Sequence, residues 1–153
     1  MKILVMSDSH GWNEAMINTV EYESPNMILH LGDKCTDCEC LEQMFPEIPL
    51  RSVKGNCDFG TRGIDMDEFV VEGKRFFMTH GHLFGVKLSK LRVIDAAAKR
   101  EADILLFGHT HIQHYEDFEG MIVLNPGCIG LNIKSYAVIE LIDGEVIFEL
   151  KKS

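Results

Sequence analysis

Ile104-Leu105-Leu106-Phe107-Gly108-His109-Thr110-His111 is a run of four apolar residues broken by a glycine and closed by two histidines one residue apart. The unbroken apolar run reads as a strand buried on both faces, the kind found in a parallel sheet. Gly108 permits a sharp turn and lets another group approach the backbone closely. Two imidazoles flanking Thr110, on a loop leaving a strand end, can address two neighbouring points in space. Taken alone the pair carries little, because histidines this close occur on ordinary surfaces. It gains meaning because other strand ends in the chain carry ligand-type residues as well.

Upstream, the same pattern recurs. Ile3 to Met6 is apolar and leads into Ser7-Asp8-Ser9-His10-Gly11. Asn13 is placed to cap an amphipathic helix running to about Glu23, with Ala15, Met16, Ile17, Val20 and Tyr22 on its inner face, before Ser24-Pro25 stops it. Met27 to Leu31 repeats the apolar strand and ends at Gly32-Asp33, and a second helix spans about Asp37 to Phe45. A short strand over Arg51 to Lys54 ends at Gly55-Asn56-Cys57-Asp58. Strand–turn–helix units in succession imply right-handed parallel crossovers, with chemistry gathered beyond the carboxyl ends of the strands.

From Thr61 the texture changes. Phe69 to Val71 and Arg75 to Thr79 flank Gly73-Lys74 as a hairpin, and the second strand ends at His80-Gly81-His82. Lys87 to Ala102 reads as one helix, with Leu88, Leu91, Ile94 and Ala98 on its apolar stripe. Downstream, Gln113 to Phe118 and Met121 to Leu124 flank Glu119-Gly120, then Asn125-Pro126-Gly127-Cys128 follows. Tyr136 to Ile142 and Glu145 to Leu150 flank Asp143-Gly144, the strongest hairpin turn in the chain. Parallel units first and hairpins last predict two sheets packed face to face with helices outside.

The 153 residues predict a single domain over residues 1–153, able to bury about two-thirds of the surface of the unfolded chain. No apolar stretch is long enough to span a bilayer, and Asp8 and His10 cut short the N-terminal apolar run, so a membrane role and a signal peptide are not expected and a cytoplasmic location is. The formal charge of -9 argues against stable nucleic-acid binding, which calls for a basic footprint. It leaves room for a small phosphate substrate, since a local metal site can reverse the field. Five cysteines in a chain of this kind are expected as free thiols.

The residues at the strand ends are Asp8, His10, Asp33, Asn56, His80, His109 and His111: two carboxylates, one amide and four imidazoles along one rim. Oxygen and nitrogen donors without thiolate suit manganese, iron, zinc or nickel. Seven such groups are too many for one tetrahedral ion and suit two ions sharing a bridging carboxylate. Singly, each has an ordinary structural explanation: Asp8 and His10 as helix caps, Asp33 and Asn56 as turn residues, His80 and His109 as hydrogen-bonded structural histidines. Their coincidence on one rim favours metal.

In order and spacing, Asp8-Ser9-His10, Gly32-Asp33, Gly55-Asn56, His80 and Gly108-His109-Thr110-His111 resemble the motifs of the calcineurin-like metallophosphoesterase superfamily. The short length and Gly55-Asn56-Cys57-Asp58 resemble its small bacterial and archaeal phosphodiesterases. The resemblance implies an α/β, four-layer αββα sandwich of two mixed sheets. It implies two divalent cations, manganese first, with nickel, iron or zinc as options. Asp8, His10, Asp33 and His111 would surround one, and Asp33, Asn56, His80 and His109 the other, with Asp33 bridging. The implied activity is hydrolysis of a small phosphodiester by a metal-bridging hydroxide, with Asp33, Asn56 and His109 as catalytic residues. A phosphomonoesterase or nucleotide pyrophosphohydrolase, or a scaffold like the family's retromer-coat member, are the alternatives, and a homo-oligomer is expected. Asn125-Pro126-Gly127-Cys128 resembles a loop beside the site.

Where many members carry a histidine after Gly-Asn, this chain has Cys57. A thiol is a poorer general acid at neutral pH than imidazolium, which points to diesters with good leaving groups. Cys57, Asp58 and His82 are the candidates for substrate contact or proton transfer. His30, inside an apolar strand, reads as a core histidine, and His114 as a surface residue of the next strand. Trp12 reads as packing at the helix start, with stacking on a substrate ring as the sharper option. Cys35, Cys38 and Cys40 read as helix-start thiols, with a zinc site completed by Cys57 as the minor option. Lys87, Lys90, Arg92, Lys99 and Arg100 read as a solvated helix face.

Overall fold

Ile3 and Val5 face one way from the first strand and Leu4 and Met6 the other, and all four are fully buried. That double burial, forecast by an unbroken apolar run, sets the layering. The structure is a computed structural model and describes residues 1–130, 132 and 134–152. The first half runs β1 (Lys2–Met6), α1 (Asn13–Glu23), β2 (Met27–His30), α2 (Asp37–Met44) and β3 (Leu50–Ser52). Then come β4 (Met66–Val71), β5 (Lys74–Thr79), α3 (Leu91–Ala98), β6 (Ile104–Phe107), β7 (His114–Phe118), β8 (Met121–Asn125), β9 (Ser135–Ile142) and β10 (Glu145–Lys152).

Two five-stranded mixed sheets result, ordered β10-β9-β1-β2-β3 and β4-β5-β6-β8-β7. β1, β2 and β3 are parallel, as are β5, β6 and β8, and antiparallel strands finish the edges. Between the sheets lie Ile3, Val5, Leu29, Phe76, Met78, Ile104, Leu106 and Ile139. Outside the first sheet, Leu4, Met6 and Ile28 pack on Met16 and Val20 of α1 and Leu41 of α2. Outside the second, Phe77, Leu105 and Phe107 pack on Val93, Ile94 and Ala97 of α3. The order is therefore helix, sheet, sheet, helix, and each fully buried strand feeds two cores.

Among the described residues, three hairpins turn through pairs with positive φ: Glu72-Gly73 (47°, 79°), Glu119-Gly120 (51°, 89°) and Asp143-Gly144 (51°, 81°). This is the backbone that matches the twist of paired strands.

Four expectations need correction. The helix expected over Lys87 to Ala102 is confined to Leu91–Ala98, and turns occupy the residues before it. Leu88 is 96% exposed and Leu91 73%, so neither belongs to the inner stripe; apolar spacing alone does not separate consecutive turns from a helix. Tyr22 is likewise turned out to solvent at 80%. Asn13 is the first residue of α1 and makes no capping bond. The loop ahead of it is held instead by Asp37, whose Oδ2 accepts from the Gly11 N–H at 2.7 Å and the Ser9 hydroxyl at 2.8 Å.

Candidate metal centre

The parallel strands of both sheets deliver their carboxyl ends to one rim. Asp8 and His10 follow β1, Asp33 follows β2 and Asn56 follows β3; His80 follows β5, and His109 and His111 follow β6. Two clusters form there, Asp8–His10–His111 and Asp33–His80–His109, with ligand atoms in each within 4.8 Å of one another. A third grouping, His10–Asp33–Cys57, ties them together through Asp33. The seven residues expected at the rim are thus brought to it, and Asn56 Oδ1 completes the set 3.1 Å from His80 Nε2.

Asp8 is fully buried. Its Oδ2 accepts from the Ser7 hydroxyl at 2.5 Å and the His109 N–H at 3.2 Å. Its Oδ1 has no hydrogen-bond partner. Three imidazoles converge on that oxygen instead: His111 Nε2 at 3.0 Å, His10 Nε2 at 3.9 Å and His80 Nε2 at 4.0 Å. A buried carboxylate oxygen left unpaired is costly. A cation among those nitrogens removes the cost, and this orphaned atom shows that the donor set fits one.

The second cluster is built the same way. His80 is buried and its Nδ1 lies 2.8 Å from the Leu31 carbonyl, so Nδ1 carries the proton and Nε2 faces the centre. His80 Nε2 stands 3.4 Å from Asp33 Oδ2 and 3.0 Å from His109 Nδ1. Burial opposes a charge on His80, but Asp33 and Asp8 outweigh it and raise its pKa above the ordinary value. Burial would likewise raise the Asp33 pKa, yet His80 and the Cys57 N–H hold that carboxyl well below its usual range. Burial and then His80 pull His109 down to about 4, leaving its imidazole neutral. The rim therefore contains fixed negative charge, attracts positive charge, and keeps the neutral nitrogen of His109 beside it.

Asp8, His10, Asp33, His109 and His111 all have positive φ, between 47° and 67°. Non-glycine residues seldom adopt this conformation, and clusters of it mark functional loops. Glycines make the close packing around them feasible. A Cβ on Gly108 would collide with the Ser7 hydroxyl and come within 3.1 Å of Asp8 Oδ2, while one on Gly55 would overlap the Asp33 side chain.

Several positioning residues escaped the sequence reading. Asp58, expected as a proton donor, is spent elsewhere: its carboxylate accepts from the backbone N–H groups of Asp33, Lys34, Cys35 and Gly55 at 2.8–3.0 Å. Those bonds hold it ionised, so it organises the Asp33 loop rather than releasing a proton. The signal was present in Gly55-x-x-Asp58, a turn-like spacing. Asn125, inside the loop expected beside the site, donates from Nδ2 to the Gly108 carbonyl and to the Thr110 hydroxyl, each at 3.0 Å. It fixes the loop carrying His109 and His111.

His82 stands beside the second cluster, its ring centroid 5.4 Å from that of His80 and 6.1 Å from that of His109, and its buried Nδ1 has no partner. Cys57 is exposed at the rim. Cys35 donates its S–H to the Val53 carbonyl and Cys38 is buried, and burial raises both thiols, Cys35 to about 12; neither is in a thiolate-forming setting. His30 is buried with Nε2 3.2 Å from the Ser9 hydroxyl, and burial lowers its pKa to about 4. His114 lies half-buried beside Glu116 at 2.8 Å.

Comparison with known proteins agrees with this geometry. A Bacillus subtilis protein named probable metallophosphoesterase YsnB is 36% identical over 148 residues, 92% of this chain and 85% of its own. Phosphodiesterase YfcE of Escherichia coli K12 is 29% identical over 101 residues, 58% of this chain and 51% of its own. A solved structure from Streptococcus pneumoniae, described as a predicted phosphoesterase, superposes with a TM-score of 0.82 at 26% identity, over 99% of this chain and 88% of that one. The model of the calcineurin-like phosphoesterase superfamily domain matches residues 1–144. With that match, and with a rim of carboxylates and imidazoles placed where they could hold a metal, the chain belongs to the calcineurin-like phosphoesterase superfamily and so to the metal-dependent phosphoesterases.

Proposed function

We propose that the protein is a phosphodiesterase with two cations at the rim, manganese first among them and nickel, iron or zinc as substitutes. The observation that carries this reading is the pair of Asp/His clusters joined through Asp33 beside a buried Asp8 oxygen that has no hydrogen-bond partner and is faced by imidazole nitrogens. Asp8, His10, Asp33 and His111 would hold one cation, and Asp33, Asn56, His80 and His109 the other. When bound, two such cations acidify a shared water and neutralise phosphoryl oxygens during in-line displacement.

The chain's own groups do the rest. Asp33 sits between the clusters and keeps its charge, as a bridging ligand must. Neutral His109 presents a nitrogen to the centre, and the Leu31 carbonyl sets the tautomer of His80. The preference for diesters rests on the proton donors available at the rim. Cys57 is a weakly acidic thiol, raised by burial and by Asp33, Asp58 is already committed to backbone, and burial and then His80 lower the His82 pKa, so its imidazole holds a proton less readily. A leaving group that departs without protonation is then favoured. The substrate is a small phosphodiester, in keeping with a rim of separate side chains and an acidic chain of net charge -9.

The test is metal-dependent turnover of an activated aryl phosphodiester set against the matching monoester. Turnover of the diester with one of the four metals, abolished in Asp33→Asn and His109→Ala, is the expected result. Faster hydrolysis of the monoester would reverse the assignment, and inactivity with all four metals would remove it.

A further inference from the structure

A cavity of about 540 Å³ adjoins the metal centre and shares His111 with it. Trp12 and Ile112 line it, with Gln113, Cys128 and Gly130. That volume suits a group the size of a nucleoside, within the range of small-molecule sites. Trp12 is 53% exposed and Ile112 70%. Trp12 is therefore not packing at the start of α1, where the sequence placed it. A single exposed apolar side chain needs no explanation. Two that line one cavity with a candidate metal ligand do.

The cavity is also rigidly tied to the loop that bears Asp8 and His10. The Trp12 N–H donates to the Ser9 carbonyl at 3.0 Å, and the preceding Gly11 N–H is held by Asp37, which fixes the backbone presenting the indole. Cys128 Sγ donates to the Asp8 carbonyl at 3.1 Å. Gly130 lies so close to the same loop that a Cβ there would overlap the Ser9 carbonyl oxygen. Gln113 Nε2 donates to the Tyr136 carbonyl at 3.2 Å and the Lys151 carbonyl at 2.8 Å, which holds that wall in place. The backbone that presents the indole is thus fixed next to the centre. Such preorganisation is what a stacking platform requires.

We propose that this cavity receives one ester substituent of the substrate and selects a planar aromatic ring there, stacked on Trp12 and edged by Ile112. The inference rests on the phosphodiesterase reading for its ester, but its recognition chemistry belongs to this chain's own side chains. An aromatic face offers offset stacking that an alkyl substituent does not provide.

Two measurements test it. Trp12 is the chain's only tryptophan, so its emission reports on the cavity without metal or turnover. Titration of the metal-free full chain with adenosine is expected to give saturable quenching, with ribose giving none; an equal response to both overturns the proposal. On the metal-loaded protein, p-nitrophenyl diesters sharing one leaving group are compared with methyl, phenyl or nucleoside as the second substituent. Ring-bearing esters should be preferred, and Trp12→Ala should lower that preference about tenfold, mainly through KM, with Trp12→Phe restoring it. An unchanged preference in Trp12→Ala overturns the subsite and leaves the phosphodiesterase reading standing. Failure of the wild-type protein to hydrolyse any of the three would overturn that reading instead, and the emission titration would then decide the cavity by itself. Preference for the nucleoside ester over the phenyl ester would identify the ring as a nucleobase, and parity would identify a simple aryl group.

Discussion

Removing the Asn125 side chain should damage the site without touching a ligand. The side chain is fully buried and joins the Gly108–Thr110 loop to Gly127. Its Oδ1 accepts from the Gly127 N–H at 2.9 Å, and its Nδ2 donates to the Gly108 carbonyl and the Thr110 hydroxyl. In Asn125→Ala the Gly127 N–H is stranded, a loss of about 2 kcal/mol for a buried donor. The Gly108 carbonyl keeps its bond from the Thr110 N–H and the Thr110 hydroxyl keeps Ile112, so those losses are partial, about 1 kcal/mol together. The sum of about 3 kcal/mol should lower the melting temperature by about 6–12 °C in a domain of this size. The freed loop carries His109 and His111, and residues that orient ligands typically govern metal affinity by about 10–100-fold. Urea denaturation and a metal titration of the same variant measure the two effects. Stability within about 1 kcal/mol of wild type, with unchanged metal affinity, would refute the assignment of Asn125 as the brace of this loop.

Gly130→Ala should lower both stability and metal affinity, because its Cβ meets the backbone of Ser9 and Asp8 rather than a movable side chain; thermal melting with and without metal checks it. Asp58→Asn turns an amide N–H₂ toward backbone donors, and about 2 kcal/mol of stability and a weakened metal site should follow, read by denaturation and metal titration. Glu23 is buried with Lys2 at 2.7 Å, Lys151 at 2.9 Å and Tyr136 at 2.9 Å. Burial raises its pKa, but these partners outweigh burial and hold it below the ordinary value. Its contribution is therefore complete above the unfolded-state pKa of about 4.3 and disappears as pH falls through the lower folded-state value. Melting curves of wild type and Glu23→Gln should differ at neutral pH and converge in acid; a constant gap would contradict this.

The layering was legible because burial on both faces leaves unbroken apolar runs, as in Ile3 to Met6 and Ile104 to Phe107. The gathering of these residues was legible because parallel strands end on one rim, so residues far apart in sequence but alike in position converge. The bracing network was not. Asp37 and Asn125 act through bonds to distant backbone, and nothing in a local pattern announces such partners; the turn-like spacing of Gly55 and Asp58 announces only their own bond, not those to Asp33, Lys34 and Cys35. Nor did apolar spacing show that the residues before Leu91 form turns that point Leu88 at solvent. Trp12 was ambiguous for the same reason, since only tertiary placement shows whether an aromatic side chain after a turn is covered.

Each ligand cluster takes members from both layers of the sandwich: Asp8 and His10 meet His111, and Asp33 meets His80 and His109. A cation in either place would stitch one sheet to the other at this rim. The separation of the two clusters is set by the seating of the layers on each other, through Phe76, Met78 and Leu106 in their shared interior. Small shifts in that interior would change the spacing of the reacting centre, so residues with no polar atom could tune the chemistry from a distance.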